Sequence, residues 1–362
     1  MNTRSSDDTS LPESDRYGEA PHPRRTYELF GHHEAEQLLL NAYRSQRLPQ
    51  SIILGGPEGI GKATLAWRFA RFLIAHPDPA SPDVAGARDL AVSPDDPASH
   101  RIEAMSDADV IVLRREWNPQ NKRLRTEIRV DDVRAVIHRF HQSSGSSGWR
   151  TAIIDCVEDL NASSANALLK LVEEPPPRSL FLFVANRPAR VLATIRSRSR
   201  MVHLTHLSVP DTIAAVRALG GTWSMCGDAE LERAAARGGG SVRETLSVLE
   251  SDTGVLDDFD AVMSQLPHID WNAAHALAEG LSSRTRTEDF ETVMTAVYDW
   301  LSQQVEVRSR DPQQLASLAQ LAELWEKIAT SARQMEALNL DRRPFLLTMF
   351  SDLATVAPPS SK

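Results

Sequence analysis

A chain of 362 residues exceeds the usual extent of one hydrophobic core, so length alone favours two or three domains. With 41% apolar and 25% charged residues, the composition is that of a folded globular protein and excludes a disordered or fibrous one. The formal net charge of -9 argues against a protein that coats nucleic acid by itself, since that requires many Lys and Arg facing phosphates, and leaves room only for local or shared DNA contacts.

Residues 1 to 23 are rich in Ser, Asp, Glu and Pro and lack the apolar core of a signal peptide, so a flexible tail is expected there. Ser51-Ile52-Ile53-Leu54 is an apolar run entering Gly55-Gly56-Pro57, which reads as a buried strand followed by a glycine-rich turn. Leu65, Phe69, Phe72 and Leu73 then recur at helical spacing, completing the strand-loop-helix opening of an α/β unit. From His76 to His100 the chain is dominated by Pro, Asp, Ala and Ser without periodicity, which predicts a long surface loop.

Val110 to Leu113 reads as a second strand, and Val133, Val136, Ile137 and Phe140 form the stripe of a helix beginning near Asp131. Gln142 to Gly148 reads as a Ser/Gly turn. Thr151 to Ile154 is a further buried strand, with Asp155 at the carboxyl end, where parallel sheets place their ligands. Asn161 is expected to cap a helix carrying Ala165, Leu168, Leu169 and Val172, which Pro175-Pro176-Pro177 stops. Leu180 to Val184 adds another strand. The fold class is therefore α/β with a mostly parallel sheet to about residue 206.

No long strand is expected beyond that point. Residues 211 to 250 read as short helices around Gly238-Gly239-Gly240. Phe290, Val293, Met294, Val297, Trp300 and Leu301 form one later apolar helix face, and Leu315, Leu318, Ala322, Trp325 and Ile328 another. This divides the chain into a tail (1–23), an α/β domain (24–206), a small helical lid (207–258) and a C-terminal helical bundle (259–357). No run of about 18 apolar residues suggests a membrane span. The two cysteines, Cys156 and Cys226, are too few for a disulfide framework or a four-thiolate zinc site, so no metal is expected and a reducing cytoplasm fits.

Gly56-Pro57-Glu58-Gly59-Ile60-Gly61-Lys62 fits the first seven positions of the phosphate-loop pattern in the required strand-to-helix context. Backbone N-H groups of such a loop cradle phosphates, and Lys62 would reach the terminal ones. The eighth position is Ala63, where the pattern supplies a hydroxyl to Mg²⁺. Thr64 comes one residue late, and a helix turns about 100° per residue. Asp155 is the natural carboxylate for orienting the metal. The position after it, normally the Glu that orients attacking water in hydrolysing relatives, is Cys156, and a neutral thiol does not accept a proton as a carboxylate does. Glu158 and Asp159 read as solvated loop charges.

The segment Ser164 to Pro176, with Asn166-Ala167-Leu168-Leu169-Lys170 and Glu173-Glu174-Pro175-Pro176, resembles the "NALLK.LEEPP" helix of bacterial DNA polymerase III clamp-loader subunits. Thr194 to Arg200 resembles the "TIRSRCR" signature that follows it, with Ser199 in place of Cys. Gly31-His32 with Leu48-Pro49-Gln50 is similar to the family's "GH...LPHA" stretch, and Leu338 to Arg343 looks like the end of an alphaproteobacterial delta-prime chain. The resemblance covers about residues 25 to 355, without the cysteine cluster of the zinc-bearing relatives.

The resemblance implies a RecA-like AAA+ domain, a helical lid and an oligomerising helical collar. It also implies gamma/tau and delta subunits, the beta sliding clamp and primed DNA as partners. Loss of the Ser/Thr and of the Glu points to the non-hydrolysing delta-prime branch, with ATP weakly bound or vestigial. The nucleotide-facing residues would be Gly56, Gly59, Gly61, Lys62, Thr64 and Asp155, with Asn186 matching sensor 1 and Arg243 sensor 2. Arg198 matches the arginine finger offered in trans to a neighbour's ATP. For Asn186 a strand-end turn role stays open, as does a solvated helix role for Arg243. Arg187, Arg190, Arg196 and Arg200 read as a solvated basic edge or as DNA-phosphate contacts. Two other readings stay open: an active gamma/tau-like ATPase, and a scaffold that keeps a decayed phosphate-loop fold.

Overall fold

The computed structural model describes residues 12–141, 148–250, 253–283, 286–309, 315–338 and 340–357. The chain forms two compact units, Met1–Leu246 and Ser247–Lys362. The division falls inside the helix Val242–Glu250, so residues 207–246 of the expected lid fall in the first unit and 247–258 in the second.

In chain order the first unit contains α1 (His33–Arg44), β1 (Ser51–Gly55), α2 (Lys62–Ala75), α3 (Pro82–Gly86), α4 (Pro97–Glu103) and β2 (Val110–Leu113). A small antiparallel pair follows, β3 (Trp117–Asn118) with β4 (Arg123–Leu124), and then α5 (Val130–His141), β5 (Arg150–Ile154) and α6 (Ala162–Glu173). It continues through β6 (Ser179–Ala185), α7 (Ala193–Arg196), β7 (Arg200–His203), α8 (Val209–Ala218), α9 (Asp228–Arg237) and α10 (Val242–Glu250).

The five-stranded sheet has the order β2-β5-β6-β1-β7, with every pairing parallel. Alternation along each strand feeds two cores. Ile52, Leu54, Leu180, Leu182 and Val184 face the side covered by α1 and α2. Ile53, Ile154, Phe181 and Phe183 face the side covered by α5 and α6. Strands buried on both faces read as unbroken apolar runs, which is why β1, β5 and β6 are visible in the sequence. Each fully buried Leu, Ile or Phe in them contributes roughly 1.5–3 kcal/mol of transfer free energy. Asn161 caps α6 as expected, its side chain accepting from Ser164 N at 2.9 Å.

Several expectations change. From Pro12 to Pro23 the acidic segment is not a tail: Asp15 is 1% exposed on its side chain, and Ala20 and His22 are buried. Residues 1–11 of that expected tail lie outside the described residues, as does all of the expected turn at Gln142 to Gly148 except Gly148. The stretch from His76 to His100 is not one long loop. It holds α3 and the start of α4, each capped by a side chain (Ser81, Asp96), and buries Val84, Leu90 and Ala98. Pro at the first turn of both helices gives a loop-like composition to a segment that is partly helical. The strand β7 also lacks a long apolar run, because it is an edge strand with only Val202 buried.

The second unit contains α11 (Thr253–Met263), α12 (Trp271–Gly280), α13 (Thr287–Ser309), α14 (Leu315–Ala337) and α15 (Arg342–Val356). Its core includes Val255, Phe259 and Val262 of α11, so the bundle begins before the expected residue 259. In α13 the predicted face is buried at Phe290, Val293, Met294, Val297 and Leu301. In α14 the buried face is Leu321, Leu324 and Ile328, and Ala322 is exposed. Among the described residues, no helix is long and apolar enough to cross a membrane.

Candidate functional site: a phosphate-loop cavity at the strand ends

The parallel register brings three strand ends to one edge. Gly55 of β1 pairs with Ala185 of β6, and Ile154 of β5 pairs with Phe183. Gly56, Asp155 and Asn186, each the first residue beyond its strand, therefore emerge together, as ligand crevices in open parallel sheets require.

The loop from Gly56 to Gly61 needs its glycines. Gly59 and Gly61 have φ of +75° and +101°, in the left-handed region that side chains disfavour. A Cβ on Gly56 would lie 2.3 Å from the Leu204 carbonyl oxygen, and one on Gly59 would lie 2.3 Å from Ser241 Oγ. Two contacts brace the loop from outside. Val242 N donates to the Gly59 carbonyl at 2.9 Å, and His32 Nε2 lies 2.7 Å from the Ile60 carbonyl oxygen. Nothing in the loop motif announces His32 as a brace; its place beside Gly31 in the family-like stretch was the one available signal. Burial holds the His32 pKa below the ordinary value.

Lys62 opens α2, is buried, and donates from Nζ to the Pro57 carbonyl. Burial lowers its pKa to about 8, against the pull of Cys156, Asp155 and Glu158. Asp155 is buried at the end of β5, and its pKa rises to about 7 through desolvation and then the charge of Asp15, with Arg114 and Lys62 opposing. Cys156 sits at φ +58°, and burial pushes its thiol well above the usual range, so it is protonated. Asn186 Nδ2 donates to Cys156 Sγ at 3.2 Å. The sensor-like Asn186 is thus aimed at the position where hydrolysing relatives carry their carboxylate.

Glu158 is not the solvated charge expected. Its Oε1 accepts from Asn186 N at 2.8 Å and from Arg187 N at 2.9 Å, joining the turn after β5 to the end of β6. Asp159 pairs with Arg115 at 2.9 Å. Only the fold shows either role, because the partners are 28 or more residues away in one case and 44 in the other.

Glu58 to Thr64, Asp155, Cys156, Asn186 and Arg243 all line one cavity of about 180 Å³, which Leu207, Ala215 and Leu219 close on an apolar side. Arg243, at the start of α10, reaches Glu58 at 3.4 Å. The residues predicted from the sequence to face nucleotide therefore converge, with Gly56 in the same loop. Backbone amides and a buried Lys suit a polyphosphate, and Ala63 offers no hydroxyl at the eighth position of the loop. Arg198 does not line this cavity. It is exposed beyond α7, pairing with Glu173 at 2.6 Å and donating to the Thr194 carbonyl at 3.0 Å. Arg187, Arg190, Arg196 and Arg200 are exposed as well.

A family model described as DNA polymerase III, delta subunit, matches residues 31–208. The DNA polymerase III subunit delta' of Pseudomonas aeruginosa is 33% identical over 146 residues, 40% of each chain. That of Escherichia coli K12 is 24% identical over 260 residues, 72% of this chain and 67% of the relative. Over residues 31–208 the chain is thus similar to clamp-loader subunits of DNA polymerase III, the delta-prime type among them. A DNA polymerase III subunit gamma/tau of Mycobacterium bovis is 30% identical over 231 residues, 63% of this chain but 37% of the relative. The chain thus spans about two fifths or less of two of these relatives. The family-model match covers the loop, Asp155, Asn186 and Arg198, and it begins at Gly31, after the packed acidic segment.

Proposed function

We propose that this chain is the non-hydrolysing delta-prime subunit of a clamp loader. Assembled with gamma/tau and delta subunits, it would help place the beta sliding clamp on primed DNA, and it would offer Arg198 to ATP held by its neighbour. The observation that carries this reading is Cys156, a half-buried, protonated thiol hydrogen-bonded to Asn186, at the position where a water-orienting Glu would stand. Ala63 supports it from the metal side. ATP, if held, is held by the loop amides and Lys62, with Thr64, Asp155, Asn186 and Arg243 around it; it supplies binding energy here and no hydrolysis. The exposed placement of Arg198, outside its own cavity and held by Glu173, Thr194 and Ser197 on its own surface, suits a finger that acts in trans, because a planar, permanently charged guanidinium can hold two phosphate oxygens.

An arginine finger is worth roughly 10³–10⁵ in rate at its own site, and this chain would complete one site among several. The expected result is that the purified chain releases no phosphate from ATP. Arg198→Ala should leave assembly with gamma/tau and delta intact while lowering clamp- and DNA-stimulated hydrolysis severalfold, and Arg198→Lys should not restore it. Wild-type hydrolysis by the assembled Arg198→Ala complex, with clamp and primed DNA saturating, would remove the finger from this reading. Phosphate release by the isolated chain that Lys62→Ala abolishes would replace it with an active ATPase.

A further inference from the structure

The acidic segment before the family-matched region lies on the phosphate-loop cavity. Ser14, Asp15, Tyr17 and Ala20 line the same cavity as Gly59 to Thr64 and Asp155. The segment is fastened at several points. Asp15 accepts from Arg114 Nη1 at 2.6 Å and from His22 Nε2 at 3.0 Å. Glu13 accepts from Arg24 Nη1 at 2.9 and 3.1 Å and also from Arg114. The Arg243 guanidinium lies 5.2 Å from the Tyr17 ring centroid, and His22 packs edge-on against Trp67 of α2 at 5.9 Å.

Two consequences follow for an anionic ligand. With the segment in place the cavity measures about 180 Å³, below the roughly 300–1,000 Å³ of clefts that enclose small ligands. The segment also brings a second carboxylate, Asp15, to a site that already holds Asp155, and its Tyr17 ring occupies the face of Arg243, the cation of the same wall. A polyphosphate approaching Lys62 meets less space and more negative charge than the loop alone would present.

We propose that residues 13–22 are an intramolecular strap that competes with nucleotide for this cavity, so that a nucleoside polyphosphate enters only when the strap lifts. The inference rests on the reading of the cavity as a nucleotide site, and it does not depend on assembly with other subunits.

The test uses the isolated full chain and a fluorescent ATP analogue with Mg²⁺, read by anisotropy. The double variant Glu13→Gln/Asp15→Asn should bind the analogue at least tenfold more tightly than the wild type, and adding Lys62→Ala should cancel the gain. Hydrogen exchange at the amides of residues 13–22 in the wild type should rise when the analogue saturates it. Equal affinity of wild type and double variant, no binding by either, a gain that survives Lys62→Ala, or unchanged exchange on saturation would each overturn the proposal. If the double variant fails to fold, a chain lacking residues 2–17, which keeps the buried Ala20 and His22, carries the same expectation and the same refutations. Any of these failures leaves the clamp-loader reading standing, since that is decided by assembly and stimulated hydrolysis.

Discussion

Asp155 shows how one residue reports on its surroundings. In the folded chain its pKa is raised from 3.8 to about 7, so the folded state holds a proton that the unfolded state has released between these two values. Stability linked to Asp155 is therefore fully present below about pH 4, is lost as pH rises toward 7, and then stays constant. Ionising a carboxylate so placed costs on the order of a few kcal/mol. Asp155→Asn, which mimics the protonated form, should raise the thermal midpoint, with a gain that grows from pH 5 to pH 7 and levels off by pH 8. A gain independent of pH across melting curves at these values would mean that Asp155 is not the strained carboxylate described. Lys62 shares the site and carries the opposite strain, its pKa lowered by burial at the foot of α2.

At the level of elements, the loop between β1 and α2 is shaped by backbone more than by side chains. Gly59 combines a φ of +75° with an approach to Ser241 and Arg243 that leaves no room for a methyl group. Gly59→Ala is expected to destabilise the first unit by about 2 kcal/mol or more, through backbone strain together with overpacking. Gly86, at the end of α3, would meet nothing within 4 Å, and Gly86→Ala should be close to neutral. Urea unfolding of the two variants separates these cases; equal midpoints would show that the Ser241-Val242 brace on the loop is not rigid. The same brace ties the start of α10 to the loop, which explains why helices expected to form their own lid domain fall within the first unit.

At the level of the whole molecule, each unit has its own core, and the second presents apolar groups at its surface. Leu338 and Leu340, between α14 and α15, are 69% and 57% exposed. Within the proposed function, such side chains belong at an interface with another subunit, because exposed leucines gain from being covered. Leu338→Asp with Leu340→Asp should leave the melting temperature of the chain within about 2 °C while weakening co-purification with gamma/tau at least tenfold, since two charges would then have to be desolvated. Undiminished assembly by this variant would place the subunit contact elsewhere.

Much of this was legible in the chain itself. The runs at Ile52, Ile153 and Leu180 specify strands buried on both faces, since a strand without solvent contact is apolar at most positions, with Ser51, Arg150, Thr151 and Ser179 as the polar residues at their starts. The glycines at 56, 59 and 61 with Lys62 specify a phosphate loop, since no other residue tolerates the required backbone. Ala63 and Cys156 stand out as departures from the hydrolysing pattern by local sequence alone. What only the tertiary structure decided are the relations between distant segments: Asp15 on Arg114, Asn186 on Cys156, Glu158 on the amides after β6, and Ser241-Val242 on the loop. A polar residue looks the same in sequence whether water or a partner ninety-nine residues away satisfies it. Burial and charge pairing are properties of the assembled fold, so the acidic segment that composition marks as a tail becomes, once Arg114 and His22 are brought to it, part of the wall of the site.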